Sequence, residues 1–411
     1  MNYKFVKISS YYDSYLEYFY KNNNNIPSNY TDHLNKIFQD CFSYGNTFSK
    51  HLHKKGNKTH EIIYNDERLQ KKWADENNFS YNKFSWKKDI LIEQLRKINP
   101  EIIFWNMYVS KELLKNIKEN LPNIKINFTQ VGVKINNYNR LEEFDFVLSC
   151  LKSQVYELGN KGVNSYYLRH GFNKSVLNKI NTSEINKYNL SFVGSIFSGE
   201  GYHYNRAEYI KYLMKNINDF IIKTTFDNPS MTEYLEVFLR QVIGKSLVFI
   251  KRIGVNDELF PYIFKYKNID RLLNKKKLIR FPKSLQDKFE SPVFGIDMFQ
   301  LLSDSKISFN KHIDFTNDEE AANMRMFETT GVGTCLITDW KKNIEDFFQP
   351  DYEIVTYKNK EDALEKIKYL LNNPKECQKI AKKGQIKTLK EHTLEHRIHE
   401  VNEIILNHLD N

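Results

Sequence analysis

Two glutamates eight residues apart have the residue type and spacing of a binding site. They lie in Glu319-Glu320-Ala-Ala-Asn323-Met-Arg325-Met-Phe327-Glu328, where a polar loop runs into a predicted helix. At 3.6 residues per turn, Glu328 would lie about two turns beyond Glu320. A carboxylate held in this way can accept two hydrogen bonds from a ribose diol. The alternative is a structural role, in which Glu328 caps the helix or pairs with a lysine.

The residues that follow Glu328 could bind phosphate through the main chain. Thr330-Gly331-Val-Gly333 leads from the helix into an apolar strand that ends at Thr338-Asp339. Glycine lets the backbone approach a ligand closely, and successive N–H groups form anion-binding concavities. We therefore expect free N–H groups around Thr330 to Gly333, Thr330 and Gly331 among them, to contact a diphosphate.

A second loop also has the composition of a phosphate-binding turn. Gly194 and Ser195 end a predicted strand, and Asn205-Arg206 opens the helix that follows. Small residues, a helix N-terminus and the cation of Arg206 all favour an anion. The loop contains neither the Gly-Lys-Ser of a P-loop nor a Gly-x-Gly-x-x-Gly motif. An ordinary surface loop is the alternative.

The segments that must position these residues alternate between strands and helices. Short apolar runs rich in β-branched and aromatic residues predict ten strands, at 3–8, 102–105, 124–129, 144–149, 166–168, 190–193, 220–224, 307–309, 334–338 and 353–356. Helical periodicity between them predicts parallel sheets with helices on both faces, one sheet in each half of the chain. Ligands of such sheets bind beyond the carboxyl ends of the strands, where both loops lie.

Composition excludes several classes of protein. With 411 residues, 41% hydrophobic and 27% charged, the chain can fold into two domains and is not a disordered tail. No apolar run reaches the roughly 18 residues of a membrane helix, and the N-terminus lacks the layout of a signal peptide, so we expect a cytoplasmic protein. The four cysteines are far apart without metal-ligand spacing, which argues against a zinc site or a disulfide framework.

The chain carries a formal net charge of +10, and one stretch concentrates it. Between Lys265 and Lys283, the only acidic residue, Asp270, is opposed by eight basic ones: Lys265, Lys267, Arg271, Lys275, Lys276, Lys277, Arg280 and Lys283. A solvated surface is one interpretation, and contact with a phosphate-bearing acceptor or an anionic membrane is the other. No nucleic-acid-binding motif accompanies the stretch, so we do not expect a nucleic-acid partner.

Several motifs occur in an order that resembles a known family. Asn323-x-Arg325-x-Phe327-Glu328-x-x-x-x-Gly333, with the strand ending at Thr338-Asp339, resembles the C-terminal half of group 1 glycosyltransferases with the GT-B fold. Their CgeB-like (spore-maturation-type) subgroup is the most similar. Ser305-Lys-Ile307-x-x-Asn310-x-His312 and Phe192-Val-Gly194-Ser195 are similar to the same family.

The resemblance implies an α/β protein of the GT-B fold, with two Rossmann-like doubly wound parallel-sheet domains facing a central cleft. We expect an N-terminal acceptor domain at 1–175 and a C-terminal donor domain at 176–390, with a helical, basic insertion at 227–291. A C-terminal helix within 391–411 would pack back on the N-terminal domain.

The implied activity is transfer of a sugar from a nucleotide-diphosphate sugar to a hydroxyl group of a cell-surface polysaccharide, glycolipid or glycoprotein precursor. UDP is the nucleotide we expect, with GDP and dTDP as alternatives, and neither a metal nor another cofactor is required. Peripheral contact with the inner face of the cell membrane would fit such acceptors. Two hypotheses compete with this one. The first is an epimerase-like activity, and the second is a non-catalytic module that binds sugar nucleotides or anionic surfaces.

The resemblance also assigns roles. Glu328 would bind the donor ribose, with Asn323 and Arg325 nearby, and Glu320 matches the first carboxylate of the Glu-x7-Glu pattern, which touches the donor sugar in retaining members. The other donor-binding candidates are Gly194, Ser195, Arg206, Asn310, Thr330 and Gly331. Glu320 lacks the usual Glu-Phe-Gly context, which leaves open whether the reaction retains or inverts configuration. Inversion requires a general base, for which Asp32, His33 and His312 are candidates, whereas we expect a structural role for His170.

Overall fold

Two parallel six-stranded sheets, one in each half of the chain, form the frame of the molecule. The computed structural model describes residues 2–132, 135, 138, 140–182, 186–197, 204–227, 230–252, 279–313 and 320–410. The first sheet has the order β2-β1-β3-β4-β5-β6 and contains β1 (Lys4–Ser9), β2 (Lys58–Ile63), β3 (Ile102–Asn106), β4 (Ile126–Val131), β5 (Phe146–Ser149) and β6 (Ser165–Tyr167).

The second sheet begins after residue 187 and repeats this design. Its strands are β7 (Tyr188–Val193), β9 (Phe220–Lys223), β11 (Phe289–Glu290), β12 (Ser305–Asn310), β13 (Cys335–Asp339) and β14 (Val355–Tyr357), beside a two-stranded pair of β8 (Ile196–Phe197) and β10 (Phe226–Asp227). The order β11-β9-β7-β12-β13-β14 places β12 between β7 and β13. The loops after these three strands therefore meet at one edge.

Both faces of each sheet are buried, as expected for parallel strands covered by helices. In the first sheet, Val6 and Ile8 pack into one hydrophobic cluster, while Phe5 packs into another on the opposite face. On that opposite face the rings of Phe104, Phe128 and Phe146 stack across three neighbouring strands, with centroids 4.7 and 4.5 Å apart.

Helices cover the first sheet. Those from the first half are Asp13–Asn22, Tyr30–Gln39, Thr47–Lys54, Glu67–Glu76, Trp86–Ile98, Lys111–Asn120 and Lys152–Gly159, with short 3-10 turns at Leu141–Glu143 and Lys174–Asn178. The C-terminal helix Leu394–Asp410 returns to this sheet, where Ile398, Val401 and Ile405 pack with Phe128. Their spacing of three and four residues places them on one face of the helix.

The second half has its own helices, which are Tyr204–Asn216, Met231–Arg252, Lys283–Gln286, Gly295–Ser303, Arg325–Gly331, Lys360–Asn372 and Pro374–Glu391, with a 3-10 turn at Ile344–Asp346. Asn359 caps Lys360–Asn372 by accepting a hydrogen bond from the Asp362 N–H at 2.8 Å. Pro374 occupies the first turn of the next helix. In the described part of the chain, no helix is both long and apolar enough to cross a membrane.

The carboxyl edges of the two sheets face each other. After β5, the Lys152 ammonium pairs at 2.7 Å with Asp346, which follows β13. Asp40 accepts a hydrogen bond of 3.2 Å from the Ile296 N–H at the start of Gly295–Ser303. These contacts place the loops of both sheets on the two sides of a cleft.

Candidate functional site at the carboxyl edge of the second sheet

A buried polar cluster lies where β12 and β13 end. The two strands pair in register, with Asn310 opposite Thr338. The next residues, Lys311 and His312 after β12 and Asp339 at the end of β13, are almost completely buried. Both strands are buried along almost their whole length, and this cluster lies at the edge where ligands of parallel sheets bind.

Asp339 is the centre of this cluster. One carboxylate oxygen, Oδ1, accepts hydrogen bonds from the main-chain N–H of His312 at 2.7 Å and from its Nδ1 at 2.9 Å. The other, Oδ2, lies 3.0 Å from the Lys311 ammonium and 3.5 Å from that of Lys341. Burial alone would raise the pKa of Asp339, but His312 and the two lysines together hold it well below its usual range. Asp339 is therefore ionised at neutral pH.

A line of amide and hydroxyl groups extends from this carboxylate. Asn310 Nδ2 donates to Thr338 Oγ1 at 2.8 Å, and Asn323 Nδ2 donates to Asn310 Oδ1 at 2.8 Å. The Tyr357 hydroxyl donates to the carbonyl oxygen of Asn310 at 2.7 Å, which fixes the end of β12 against β14. The predicted residues Asn310, Asn323 and His312 are thus brought into one network.

Arg206 joins the loops after β7 and β12. Its guanidinium donates to the carbonyl oxygens of Ser195 at 3.0 Å and Lys311 at 2.8 Å. The Ser195 hydroxyl accepts a hydrogen bond from Thr225 at 2.9 Å, and the Gly194 N–H donates to the Lys223 carbonyl at 3.2 Å. Gly194, Ser195 and Arg206 therefore lie together at the same sheet edge as the Asp339 cluster.

Glu328 and Arg325 form an ion pair on the helix Arg325–Gly331. The Arg325 guanidinium lies 2.9 Å from Glu328 Oε2, and their side chains are 17% and 12% exposed. Burial raises the pKa of Tyr44 in the first half, with smaller contributions from Cys150 and Glu328.

The structure corrects the prediction that Thr330 and Gly331 belong to a run of free N–H groups. These residues end a helix, where the Val332 N–H donates to the Glu328 carbonyl at 3.3 Å and the Gly333 N–H to the Thr330 carbonyl at 3.0 Å. A helix C-terminus presents the negative end of the helix dipole, which repels phosphate. The Thr330 hydroxyl bonds to Met326 and Thr388, and the Phe172 ring packs against Gly331.

Glu320 crosses the cleft to the first half. Its carboxylate accepts hydrogen bonds from the Ser153 N–H at 3.2 Å and from the Ser153 hydroxyl. Ser153 lies in the first turn of Lys152–Gly159, so Glu320 satisfies a free N–H group at the positive end of that helix. In this arrangement the carboxylate is committed to a cap.

Comparisons with known proteins agree with this geometry. The model of the glycosyl transferase-like family matches residues 268–403, which include β12, β13 and the helix that carries Glu328. No curated protein matches the sequence significantly.

Solved structures match over the whole chain at low sequence identity. A glycosyltransferase from Rickettsia africae is 11% identical, with 100% of this chain and 99% of that one covered and a TM-score of 0.53. Anabaena HepE in complex with UDP and glucose is 9% identical, with 99% and 100% covered and a TM-score of 0.54. An alpha-glucosyltransferase in complex with UDP and a 13-mer DNA is 12% identical, with 99% and 100% covered and a TM-score of 0.56.

The chain has the GT-B fold. Those structures match it over nearly the whole chain, and the family match covers the part of the second half that contains the Asp339 cluster. Together these findings support a glycosyltransferase.

The remaining predicted candidates lie elsewhere in this GT-B fold. Asp32 is exposed in the first turn of Tyr30–Gln39, where its N–H donates to Asn29 Oδ1 at 2.8 Å and its carboxylate accepts from Asn29 Nδ2 at 2.8 Å. His33 is buried, its Nε2 lies 3.0 Å from the Tyr20 hydroxyl, and burial followed by nearby cations lowers its pKa to about 4. The contacts that the described ranges show for Asp32 and His33 are with residues of the first half, and none of them joins these two residues to the Asp339 cluster.

A cavity of about 770 Å³ opens beside His33 in the first half. Its lining is mostly charged and includes Asp13, Glu17, Tyr20, Asp66, Arg68 and Lys71. The Tyr20 hydroxyl donates to Asp66 at 2.6 Å, and the Arg68 guanidinium lies 4.4 Å from the centre of the Tyr20 ring. The first half therefore contains a cavity whose lining is mostly charged.

His170 has structural contacts, as we expected. Its Nδ1 lies 2.8 Å from the Tyr44 hydroxyl, and its carbonyl oxygen accepts from Arg397 at 3.2 Å. Burial and the charge of Arg397 lower its pKa to about 4, so the imidazole is neutral at physiological pH.

Sequence reasoning missed three charged members of the cluster, Lys311, Asp339 and Lys341. Each lies within two residues of the end of β12 or β13, and this position was the signal that could have found them. In the described ranges, no group of three or more His, Cys, Asp or Glu side chains is placed so that it could hold a metal ion.

Proposed function

We propose that this protein transfers a sugar from a nucleotide-diphosphate sugar, with UDP as the nucleotide, to a hydroxyl group of a glycan, glycolipid or glycoprotein precursor. The observation that carries the proposal is the convergence of Arg206, Lys311 and Lys341 around the carboxyl edge of the second sheet in a GT-B fold. Placing three cations in this buried edge suits an anionic ligand. The ordered motifs around Asn310 and Glu328 further lead us to propose membership of the CgeB-like subgroup.

The cations have a clear chemical use in such a reaction. Departure of the nucleotide leaves negative charge on the diphosphate, and preorganised cations stabilise that charge without reorganisation. Arg206 is held by two carbonyl oxygens, and the lysines are held by Asp339. We therefore propose that Arg206, Lys311 and Lys341 replace a divalent ion, and we expect the transfer activity to survive EDTA.

Glu328 is our candidate for the donor ribose. It pairs with Arg325 through one carboxylate oxygen, Oε2, which orients the group, and the lone pairs that remain suit a diol. Its position beside the facing half would place the nucleotide on the second half and the acceptor on the first.

The test is a calorimetric titration of UDP, GDP and dTDP into the wild type and Glu328→Gln. We expect UDP to bind the wild type most tightly. Glutamine keeps one accepting oxygen, so the variant loses at least one charge-assisted hydrogen bond of about 1.5–3 kcal/mol, which would weaken binding at least tenfold. Glu376→Gln is the matched control, because among the described residues Glu376 forms an ion pair only with Lys379, on the helix Pro374–Glu391.

Two results would contradict the proposal. Unchanged UDP affinity in Glu328→Gln would remove Glu328 from the ribose site. A wild type that binds none of the nucleotides would overturn the donor assignment. Turnover of a UDP-sugar in the absence of any acceptor would instead favour the epimerase-like activity.

We also propose peripheral contact with an anionic membrane through the helix Met231–Arg252. Seven of its apolar side chains are between 44% and 64% exposed: Met231, Leu235, Phe238, Leu239, Val242, Ile243 and Phe249. At 100° per residue, Met231, Leu235, Phe238, Val242 and Phe249 fall within about 40° of one line along the helix. This is the pattern of a helix that lies in a membrane interface.

Charge supports an anionic surface as the partner of this helix. The basic stretch at 265–283 follows it in sequence, although its residues up to 278 lie outside the described ranges. At its described end, the exposed Arg280 contacts the Met231 sulfur at 3.1 Å, so a cation lies next to the start of the apolar face.

Vesicle sedimentation tests this contact. We expect the protein to pellet with phosphatidylglycerol vesicles and to remain in the supernatant with phosphatidylcholine vesicles. Phe238→Glu/Val242→Glu should abolish the difference. Equal behaviour with both vesicles, or concentration-dependent dimerisation that the same double variant removes, would contradict membrane contact and indicate a second copy of the chain as the partner.

A further inference from the structure

The hydrogen-bond network at the ends of β12 and β13 has a direction, which Asp339 imposes. An ionised carboxylate has lone pairs and no proton, so every polar group that contacts it must donate. His312 therefore donates from its main-chain N–H and from Nδ1 to Asp339 Oδ1. Of the two neutral tautomers of His312, only the one with its proton on Nδ1 can donate to Asp339, and that tautomer leaves the lone pair of Nε2 to accept.

The donor-to-acceptor direction that Asp339 imposes extends to the side-chain amides of Asn310 and Asn323. Thr338 Oγ1 lies 3.4 Å from Asp339 Oδ1 and donates to it, which leaves the hydroxyl lone pairs to accept from Asn310 Nδ2. The Asn310 oxygen is then turned toward Asn323 and accepts from its Nδ2. Because the amide nitrogen of Asn323 donates to Asn310, the amide oxygen of Asn323 is the last atom of the network.

The network thus ends in two acceptors, Asn323 Oδ1 and His312 Nε2. Both atoms are buried, and neither has a hydrogen-bond partner within the described ranges. A buried polar atom without a partner costs stability, so such atoms in a native structure indicate a group that the folded protein is built to receive. Two acceptors call for a ligand that donates. Phosphate oxygens cannot donate, whereas sugar hydroxyl groups can.

We propose that Asp339 is a positioning residue that fixes this polarity, so that Asn323 Oδ1 and His312 Nε2 accept hydrogen bonds from hydroxyl groups of the transferred sugar. The inference rests on the proposed function and assigns the sugar subsite within it. The lysines and Arg206 serve the diphosphate, and the two acceptors serve the sugar beyond it.

Thr338 is the best residue to test. Its uncharged hydroxyl group connects Asp339 to the Asn310 amide and therefore determines which way the amides of Asn310 and Asn323 point. Thr338→Val keeps the shape and removes the hydroxyl, which frees the Asn310 and Asn323 amides to turn over. Thr338→Ser keeps the hydroxyl. The titrants are UDP, UDP-glucose, UDP-galactose and UDP-N-acetylglucosamine, and the sugar nucleotide that binds the wild type most tightly is used for the variants.

We expect Thr338→Val to weaken binding of that sugar nucleotide five- to tenfold, about the effect of one neutral hydrogen bond, and to leave the affinity for UDP within twofold. Thr338→Ser should rescue the affinity for the sugar nucleotide. Asp339→Asn, whose amide can donate toward His312, should weaken sugar-nucleotide binding more than Thr338→Val does.

The outcomes separate this inference from the proposed function. If the wild type binds neither UDP nor any of the sugar nucleotides, both are overturned. If Thr338→Val weakens UDP and the sugar nucleotide equally, the threonine has only a structural role and the sugar subsite is wrong. The inference also fails if Thr338→Ser loses sugar-nucleotide affinity as strongly as Thr338→Val.

Discussion

Replacing Gly331 by alanine tests whether this residue serves packing or ligand binding. Sequence reasoning predicted a phosphate contact, whereas the structure packs the Phe172 ring against it. A Cβ added at position 331 would lie 2.4 Å from Phe172 Cγ. Carbon atoms in contact are normally about 3.5–4.0 Å apart, so the overlap is more than about 1 Å. Phe172 is almost completely buried beside Phe299, which restricts its escape.

The magnitude follows from overpacking, which costs about 1–3 kcal/mol, offset by at most about 1 kcal/mol from the better helix propensity of alanine. We expect Gly331→Ala to lower the free energy of unfolding by about 1–2 kcal/mol. For domains of this size, that corresponds to a fall in Tm of about 2–8 °C. Differential scanning calorimetry of the wild type and the variant measures it.

Gly159 provides the matched control. It ends the helix Lys152–Gly159, and an added Cβ there would meet no atom within 4 Å, so Gly159→Ala should leave Tm unchanged or slightly raised. Phe172→Leu in the Gly331→Ala background should restore part of the loss. A Gly331→Ala protein with wild-type Tm and weakened UDP binding would refute the packing argument and return Gly331 to the donor site.

Two further predictions concern contacts within and between the halves. Glu320→Ala should lower the free energy of unfolding by about 1 kcal/mol through loss of the cap on Lys152–Gly159, and a double-mutant cycle with Ser153→Ala should show coupling, whereas additive effects would argue against the cap. His392 accepts from Arg397 at 3.1 Å and lies 2.9 Å from the Phe347 carbonyl, and burial is the main cause that lowers its pKa to about 4. Because the unfolded chain binds this proton at higher pH, stability should fall as pH drops from about 6.5 toward 4. Urea denaturation in His392→Gln should show a shallower fall over pH 5–6.5, and an unchanged slope would contradict the assignment.

Much of the fold could be predicted from the sequence. All ten predicted strands are present, because parallel strands buried on both faces read as continuous apolar runs. Four strands were missed. Three of them, β8, β10 and β11, have only two residues each. The fourth is β2, Lys-Thr-His-Glu-Ile-Ile, which lies at the edge of its sheet and is buried only at its last two residues. An edge strand with polar residues lacks the pattern that identifies the others.

The candidate site was predictable in part. Asn310 ends a strand and His312 follows it by two residues, and the structure brings them together with Asn323 and Arg206. Asp32 and His33 were chosen by residue type, and type cannot show that one is exposed in a cap and the other buried against Tyr20. The commitment of Glu320 to Ser153 involves residues 167 positions apart, which no local pattern reveals.

The route of the chain between the two sheets restricts how they can move. The chain passes from the first half to the second near Phe172 and returns near Thr393, and these two crossings are hydrogen-bonded to each other. The Phe172 N–H donates to the His392 carbonyl at 2.8 Å, and the Leu394 N–H donates to the Phe172 carbonyl at 2.9 Å. Two connections at separate places would let the two halves twist relative to each other in several directions, whereas two crossings paired at one place act as a single hinge. Rotation of the halves about that hinge would open or close the cleft and keep the facing strand ends aligned.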